Sequence, residues 1–255
     1  MPFFSSVEGI YGYGRPQTIS NIQSNNLVLW YDSANTSSYP GSGATWSNLV
    51  TSNSGYTYSL ANSLTTSNIG STKGFSFNGT NQYTLNSTSI QTFLTSGNSN
   101  ETRELWFYWR GGNSVLMTEL GTTTPNFSWH DAQIILSNSS LIFTVWQGTS
   151  PMTPYVVYNS LASNTWYHIA FQFANSSNLL MAYVNGVRTY SNASIARQYN
   201  GANYFLALGA GDTTTAGSII DYYNGLVSIY RWYNTIVSSN NIYNNFQSER
   251  GRFGI

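Results

Sequence analysis

The sequence predicts an all-β domain, either a β-sandwich or a closed barrel. Short segments rich in β-branched and aromatic residues alternate with turn clusters along the chain, which is typical of these two architectures. Helical spacing is confined to 238–247, where Ile242, Tyr243 and Phe246 recur at compatible intervals. Aromatic residues form 16% of the 255 residues, a content that argues against disorder. We therefore expect one folded unit with a single short helix.

The predicted strands follow one another through the middle of the chain. Residues 104–110 (ELWFYWR) contain four consecutive aromatic residues, which favours a strand covered on both faces. Residues 74–85 alternate around an Asn-Gly turn, and Asn185-Gly186 is a strong two-residue hairpin signal. The full set of predicted strand segments is 27–31, 74–85, 104–110, 131–136, 140–146, 165–173, 179–184, 187–190, 203–208 and 226–233.

The two ends of the chain differ in texture from the middle. We divide the sequence into an N-terminal arm (1–25), a central domain (26–247) and a C-terminal tail (248–255). The arm is too apolar for a free terminus, so it either folds back onto its own domain or docks onto a neighbouring subunit. The residues assigned to such assembly contacts are Phe3, Phe4, Tyr11, Tyr13, Arg15, Arg250, Arg252 and Phe253.

Composition excludes several classes of function. Only 7% of residues are charged and the formal net charge is zero, so no basic stripe exists to neutralise the phosphates of a nucleic acid. A neutral surface also favours self-association or packing into an assembly. The chain has no cysteine, no apolar run long enough for a membrane span and no signal-peptide pattern at its start. We therefore expect no membrane partner. If the protein acts outside a cell, it leaves by a route other than an N-terminal signal, and release inside a virus particle is one such route.

Four segments, in order, carry a family resemblance. Residues 166–170 (WYHIA) and 183–187 (YVNGV) resemble the central hairpin of laminin-G-like domains, and 75–83 (FSFNGTNQY) is similar to an earlier strand of that family. Residues 105–109 (LWFYW) and 224–234 (NGLVSIYRWYN) resemble its aromatic and closing strands. The resemblance covers about 27–246 and implies a concanavalin A-like jelly-roll β-sandwich of two antiparallel sheets.

A narrower resemblance lies at the edges of this region. Residues 29–43 (LWYDSANTSSYPGSG), followed by Trp46, are similar to the opening of laminin-G-like structural proteins of tailed phages and large DNA viruses, and 250–255 (RGRFGI) resembles their ending. This resemblance implies a non-enzymatic virion structural protein: a minor capsid, decoration or fibre-associated component. Its partners would be other virion proteins or further copies of itself, and its location the virus particle.

Catalytic chemistry finds little support in the sequence. Glucanases that share this fold use paired carboxylates in an E-x-D-x-x-E strand, and no segment here matches that motif. Glu101 and Glu104 are three residues apart, which suits neither strand alternation nor the motif. His168 lies among alternating apolar residues, so we interpret it as a packed histidine rather than a functional one. We expect no enzyme, and a glycoside hydrolase is the least favoured alternative.

The resemblance leaves calcium open, because several laminin-G-like domains bind Ca²⁺ through carboxylates and loop carbonyls. The candidate ligands are Asp32, Asp212 and Asp221. Calcium prefers six to eight oxygen ligands, including acidic ones. Ser228 stands where the family usually has Asp, which weakens the analogy. The alternative is that these acids cap turns, and we expect no cofactor otherwise.

Carbohydrate binding is the main alternative to a structural role, because sugars stack on aromatic faces and bond to amides. The candidate glycan-binding residues are Trp129, Trp146, Tyr155 and Tyr199. Each has the competing interpretation of local packing, since aromatic side chains supply most core burial. In this alternative the protein is a lectin-like module that attaches to host glycans.

Overall fold

The computed structural model describes residues 22–94, 100–121, 130–148, 152–198, 204–211 and 221–255, without the side chains of 130 and 131. The strands are β1 (Leu27–Asp32), β2 (Thr45–Trp46), β3 (Tyr58–Leu60), β4 (Thr65–Ile69), β5 (Thr72–Asn78), β6 (Thr84–Asn86), β7 (Asn100–Trp109), β8 (Ser114–Leu120), β9 (His130–Ser137), β10 (Ser140–Val145), β11 (Thr153–Tyr158), β12 (Thr165–Ala174), β13 (Leu179–Val184), β14 (Val187–Asn192), β15 (Phe205–Leu208) and β16 (Asn224–Tyr233). Helix α1 spans Ser239–Phe253, and single 3₁₀ turns occupy Thr51–Asn53, Gln91–Phe93 and Asn175–Ser177.

The strands form two antiparallel sheets, as the sequence predicts. The first sheet has the order β14-β13-β12-β7-β16-β5-β4, and β1 joins it by pairing with residues 229–233 of β16. The second sheet has the order β11-β10-β9-β8-β15-β6-β3-β2. Several neighbours in these orders, such as β7 and β16 or β8 and β15, are far apart in sequence. Residues of both sheets share one core, so the two sheets form a sandwich, and the jelly-roll fold that the resemblance implies is confirmed.

Turn chemistry places the hairpins where the sequence predicts them. Asn185 and Gly186 both have positive φ, of 51° and 77°, and they join β13 to β14. Asn138 and Ser139 do the same between β9 and β10. Positive φ at both central positions matches the right-handed twist of the flanking strands. The Asn78-Gly79 turn differs, because the strands on its two sides, β5 and β6, belong to different sheets.

The main core lies between the two sheets. Strand β7 shows how alternation builds it: Leu105, Phe107 and Trp109 face the second sheet within this core. Trp106 faces the opposite way and belongs to a second apolar cluster on the outer side of the first sheet. The prediction that 104–110 is covered on both faces is therefore confirmed.

Helix α1 covers that outer side of the first sheet. Ser238 caps its start by accepting a hydrogen bond from the Asn241 amide at 3.2 Å, and Gly254 ends it at φ 72°. Phe253 stacks on the Trp106 ring with centroids 3.8 Å apart. No helix in the described ranges is both long and apolar enough to cross a membrane.

The helix corrects the interpretation of the C-terminal residues. It continues six residues past the predicted end at Gln247, so most of the predicted tail is helical. Phe253 is buried, and Arg252 donates two hydrogen bonds to Asp32 within the same chain. Arg250 is exposed and donates to the Ile255 carbonyl at 2.5 Å. Arg252 and Phe253 therefore belong to the folded domain and not to a free C-terminal tail that makes assembly contacts. Burial of the Phe253 ring favours this arrangement, because removing apolar surface from water lowers the free energy.

The N-terminal arm cannot be compared in the same way. Phe3, Phe4, Tyr11, Tyr13 and Arg15 lie outside the described residues, so their assignment stays a prediction.

Candidate functional site

The outer face of the second sheet offers the candidate site. Along β9, Ala132, Ile134 and Leu136 point into the core, so Gln133 and Ile135 point outward. The same alternation holds along β10, where Leu141, Phe143 and Val145 are core residues and the residues between them face outward. This face therefore carries its own set of side chains, separate from the core.

Two cross-strand rows run side by side on this face. The polar row passes from Thr118 through Gln133 and Thr144 to Pro154, and Gln133 donates to the Thr118 hydroxyl at 3.2 Å. The aliphatic row consists of Ile135, Ile142 and Val156 on β9, β10 and β11. Val156 is 52% exposed, which is unusual for a large apolar side chain. Thr118, Gln133 and Thr144 are at most 5% exposed, so the exposed part of this face is the aliphatic row.

A groove of about 310 Å³ lies where these rows approach the start of β8. Its size is at the lower end of the range of small-molecule sites, about 300–1,000 Å³. The lining residues are Asn113, Ser114, Ile135, Ser137, Ile142, Pro154 and Asp221. One of these residues is acidic and none is basic. The lining therefore supplies aliphatic surface, an amide, hydroxyls and one carboxylate.

Backbone hydrogen bonds hold two of the lining residues in place. Asp221 donates its amide to the Gly211 carbonyl at 2.9 Å and accepts from the Val115 amide at 3.1 Å, which fixes it against β8. The side-chain oxygen of Asn113 accepts from the Asn138 amide at 3.1 Å, which ties the start of β8 to the β9–β10 turn. The residues that line the groove therefore lie on strands or on turns that hydrogen bonds hold in place.

The two glycan-binding candidates that the structure describes, Tyr155 and Trp146, do not line this groove. Tyr155 packs against the main core and accepts a hydrogen bond from Gln147 at 2.6 Å. Trp146 is half-buried at the end of β10, where its carbonyl accepts from the Gln198 amide. Trp129 and Tyr199 lie outside the described residues. Sugar contact by any of these four stays a prediction.

The two predicted calcium ligands that the structure describes, Asp32 and Asp221, are not brought together. Both carboxylate oxygens of Asp32 accept from Arg252, at 2.7 and 2.8 Å, and Arg252 also donates to the Ser228 hydroxyl at 2.9 Å. Asp221 lines the groove, and Asp212 lies outside the described residues. The described part of the chain contains no cluster of three or more acidic, histidine or cysteine side chains placed to hold a metal. A guanidinium group therefore neutralises Asp32, and the described residues do not fit a calcium ion.

A ring of four alternating charges occupies the space between the sheets. Glu101 and Glu119 each bond to both Arg103 and Arg197. Arg103 bonds to Glu101 at 2.7 Å, and its guanidinium lies 4.1 Å from the centre of the Trp232 ring. All four side chains are at most 5% exposed. The ring has no net charge, which is the condition under which buried ions are tolerated.

A second buried polar cluster lies on the other face of β7, beneath α1. Arg231 pairs with Glu249 of the helix, and Asn245 donates to Glu104 at 2.9 and 3.1 Å. Burial alone would raise the pKa of Glu104. The nearby His168, 3.8 Å away, together with Arg231 and Asn245, outweighs burial and lowers that pKa. The cluster docks the helix and keeps Glu104 ionised.

This arrangement settles where the acids noted in the sequence lie. Glu101 faces the core between the sheets while Glu104 faces α1, so the two lie on opposite faces of β7. His168 is fully buried, with its ring centroid 5.1 Å from that of Trp106, so the prediction of a packed histidine is confirmed. Sequence reasoning missed the groove and both clusters, because their members come from segments far apart in the chain.

Comparison with known proteins adds a family to this geometry. A family model described as the concanavalin A-like lectin/glucanases superfamily matches residues 77–243. A comparison with curated proteins finds no match. Among solved structures, domain 4 of AbnA, a GH43 extracellular arabinanase from Geobacillus stearothermophilus in complex with arabinotriose, is 17% identical with a TM-score of 0.62. That likeness covers 88% of this chain and all of the arabinanase domain.

Two further structures share the fold over part of their length. Trypanosoma rangeli sialidase is 15% identical with a TM-score of 0.59, covering 91% of this chain and 34% of the sialidase. The binding domain of botulinum neurotoxin DC, in complex with rat synaptotagmin II, is 10% identical with a TM-score of 0.63, covering 88% of this chain and 51% of that one. At such identities these likenesses concern the fold alone. The family model, in contrast, covers more than half of the sequence, and the chain belongs to the concanavalin A-like lectin/glucanase superfamily.

Proposed function

We propose that this protein is a non-catalytic carbohydrate-binding module that holds a small sugar in the groove on the outer face of its second sheet. The observation that carries the proposal is the lining of that groove: two isoleucines and a proline beside an amide, two serines and a carboxylate. A sugar ring presents apolar C–H surface and hydroxyl groups together. A site with aliphatic walls and a few polar groups matches both.

The contacts of the other described acids favour sugar binding over sugar hydrolysis. Glycoside hydrolysis requires two carboxyl groups flanking the scissile bond. Among described side chains, Asp32, Glu101, Glu104, Glu119 and Glu249 are all engaged by arginine or asparagine. Asp221 is the one described acid that lines the groove. The similar arabinanase domain, which aligns with this chain over its whole length, was obtained in complex with arabinotriose, which agrees with a sugar-binding role for this fold.

Filling the groove tests the proposal. Ser137 is half-buried among the lining residues, so Ser137→Trp places an indole in the space that a sugar would occupy. We expect the purified full chain to bind at least one glycan of an array, and the variant to lose at least about tenfold in affinity for it by calorimetry. Ser176→Trp is the matched control, because Ser176 is exposed in the turn between β12 and β13 of the first sheet.

The outcomes of this experiment separate clearly. If no glycan binds the unmodified chain, the carbohydrate function is wrong. Equal losses for Ser137→Trp and Ser176→Trp would mean that sugar binds elsewhere. Circular dichroism of both variants shows whether each retains the native fold.

The second candidate function is a structural role in a virus particle, and an exposed apolar patch favours it. Val187 is 61% exposed at the start of edge strand β14, and Tyr243 on α1 is 47% exposed beside the adjoining Gly186. Edge strands that expose apolar side chains are ready surfaces for protein docking.

Mass spectrometry of purified virus particles tests whether the protein is located in them. Normal incorporation of a chain that lacks residues 1–25 would contradict a role for the N-terminal arm in assembly.

A further inference from the structure

We propose that the groove selects 6-deoxyhexoses, such as fucose and rhamnose, and that its aliphatic residues contact their methyl group. The inference rests on the proposed carbohydrate function and adds the class of sugar. It follows from the arrangement of the lining, whose polar and aliphatic residues lie towards different sides of the groove. A 6-deoxyhexose has the same division, because it carries ring hydroxyls and one exposed methyl group.

The strand order separates the two kinds of lining residue. Strands β8, β9, β10 and β11 follow one another in the second sheet. Asn113 directly precedes β8, whereas Ile142 lies on β10 and Pro154 on β11. Ser137 and Ile135 lie between them on β9, with Ile135 directly opposite Ile142. The lining therefore changes from polar to aliphatic across the sheet, from β8 towards β11.

The aliphatic side of the groove suits a methyl group. Val156 pairs with Ile142 and is 52% exposed, so the aliphatic surface continues past the groove. The neighbouring polar row does not offer its groups to a ligand, because Gln133 and Thr144 are at most 5% exposed. A sugar hydroxyl placed against these aliphatic side chains would lose water without a new hydrogen bond from that row. A methyl group in the same position gains free energy by leaving water.

The polar side of the groove suits the ring hydroxyls. The side-chain oxygen of Asn113 accepts from the Asn138 amide, which directs the donor NH₂ group of Asn113 to a ligand. The hydroxyl of Ser137 can both donate and accept. An N-acetyl sugar also carries a methyl group, but its polar amide would then lie against the aliphatic side chains. The division of the groove therefore favours a methyl group without such an amide.

Pairs of sugars that differ by one hydroxyl test the selectivity. L-Fucose and L-galactose form one pair, and L-rhamnose and L-mannose form another, because the first member of each has a methyl group where the second has a hydroxymethyl group. A hydrophobic site distinguishes ligands that differ by one small group by about 10- to 200-fold. Ile135 and Ile142 are half-buried, so we expect calorimetry of the full chain to give the lower end, about tenfold, in favour of the deoxy sugars.

The outcomes distinguish this inference from the function on which it rests. Equal affinities within both pairs overturn the inference and leave the carbohydrate function standing. Binding of other glycans on an array, without binding of either 6-deoxyhexose, has the same meaning. Absence of any glycan binding overturns the function and this inference together.

Matched substitutions assign the preference to the aliphatic side chains. Ile142→Thr keeps a β-branched side chain and adds a hydroxyl, so we expect the preference for the deoxy sugars to fall to about twofold or less. Pro154→Thr is a second variant with the same expected direction, at an exposed position of edge strand β11. Ile69→Thr is the control, because Ile69 is half-buried on edge strand β4 of the first sheet, and it should leave the preference unaltered. An unchanged preference in both Ile142→Thr and Pro154→Thr, with native circular dichroism, overturns the role of these side chains.

Discussion

The buried ring of Glu101, Arg103, Glu119 and Arg197 makes a quantitative prediction about stability. Substituting Glu119 by Gln keeps the shape of the side chain and removes its charge. Two guanidinium groups, each at most 4% exposed, would then face the single carboxylate of Glu101. A buried charge without its partner costs about 3–5 kcal/mol. The substitution should therefore remove a large part of the stability that a domain of this size has.

This free energy converts to a measurable temperature. For a domain of about 150–250 residues, 1 kcal/mol changes the melting temperature by roughly 2–4 °C, so Glu119→Gln should lower it by about 6–20 °C. Thermal and urea unfolding followed by circular dichroism measure the change. The control is Asp32→Asn, which breaks an ion pair whose side chains are 28% and 13% exposed and should therefore cost less than Glu119→Gln does.

A double substitution separates charge balance from packing. Adding Arg197→Met to Glu119→Gln leaves Glu101 and Arg103 as one balanced pair, so the double variant should be more stable than the sum of the two single losses predicts. If Glu119→Gln melts within about 2 °C of the unmodified chain, the ring contributes no more than a surface pair does. Strict additivity in the double variant would likewise show that the four charges do not act as a unit.

Two further predictions concern the docking of α1. Phe253→Ala removes the ring that stacks on Trp106 and contacts Trp166, so it should destabilise the domain by about 3–5 kcal/mol and change tryptophan fluorescence, whereas Tyr243→Ala on the exposed side of the helix should do neither. The pKa of Glu104 is lowered in the folded chain, so its contribution to stability is present above the unfolded pKa of about 4.3 and is lost as the pH falls through the folded pKa. Urea unfolding between pH 3 and pH 7 should therefore show a shallower acid loss in Glu104→Gln than in the unmodified chain, and identical slopes would contradict the assigned role.

Local signals predicted the parts of the fold that local chemistry determines. Asn185-Gly186 forms a hairpin because both residues accept positive φ, and the aromatic residues at 106–109 alternate between two apolar clusters because both faces of β7 are covered. The Asn78-Gly79 turn shows the limit of such signals. The residues of this turn predict that the chain bends there. Whether the next strand then pairs with the preceding strand or enters the other sheet depends on residues that are distant in sequence.

The strands that sequence patterns missed are of two kinds. Strands β2, β3 and β4 are short, and β4 (TTSNI) has hardly any apolar alternation, since it lies at the edge of the first sheet. Strand β11 (TPYVVY) was missed as well; it lies at the edge of the second sheet and has a proline as its second residue. Strand β8 (SVLMTEL) was missed because it is buried on both faces and includes Glu119, an acid that usually argues against burial. Its partners Arg103 and Arg197 lie 16 and 78 residues away, so no sequence window contains the reason.

The candidate site has the same dependence on distant segments. Its lining comes from the start of β8, from β9, β10 and β11, and from the residue three positions before β16. Asp221 was noted in the sequence, but as a calcium ligand, because carboxylates in loops are the common signature of that ion. Its role in the groove depends on the uncharged residues around it, which only the fold assembles.

The buried charges explain how a chain with so few charged residues presents a neutral surface. The structure describes eight charged residues as buried, and they connect the sheets to each other and to α1: Asp32, Glu101, Glu104, Glu119, Glu249, Arg103, Arg197 and Arg231. Ionic contacts therefore serve cohesion within the domain. Most of the described surface therefore consists of hydroxyl, amide and scattered apolar groups, beside exposed cations such as Arg188 and Arg250.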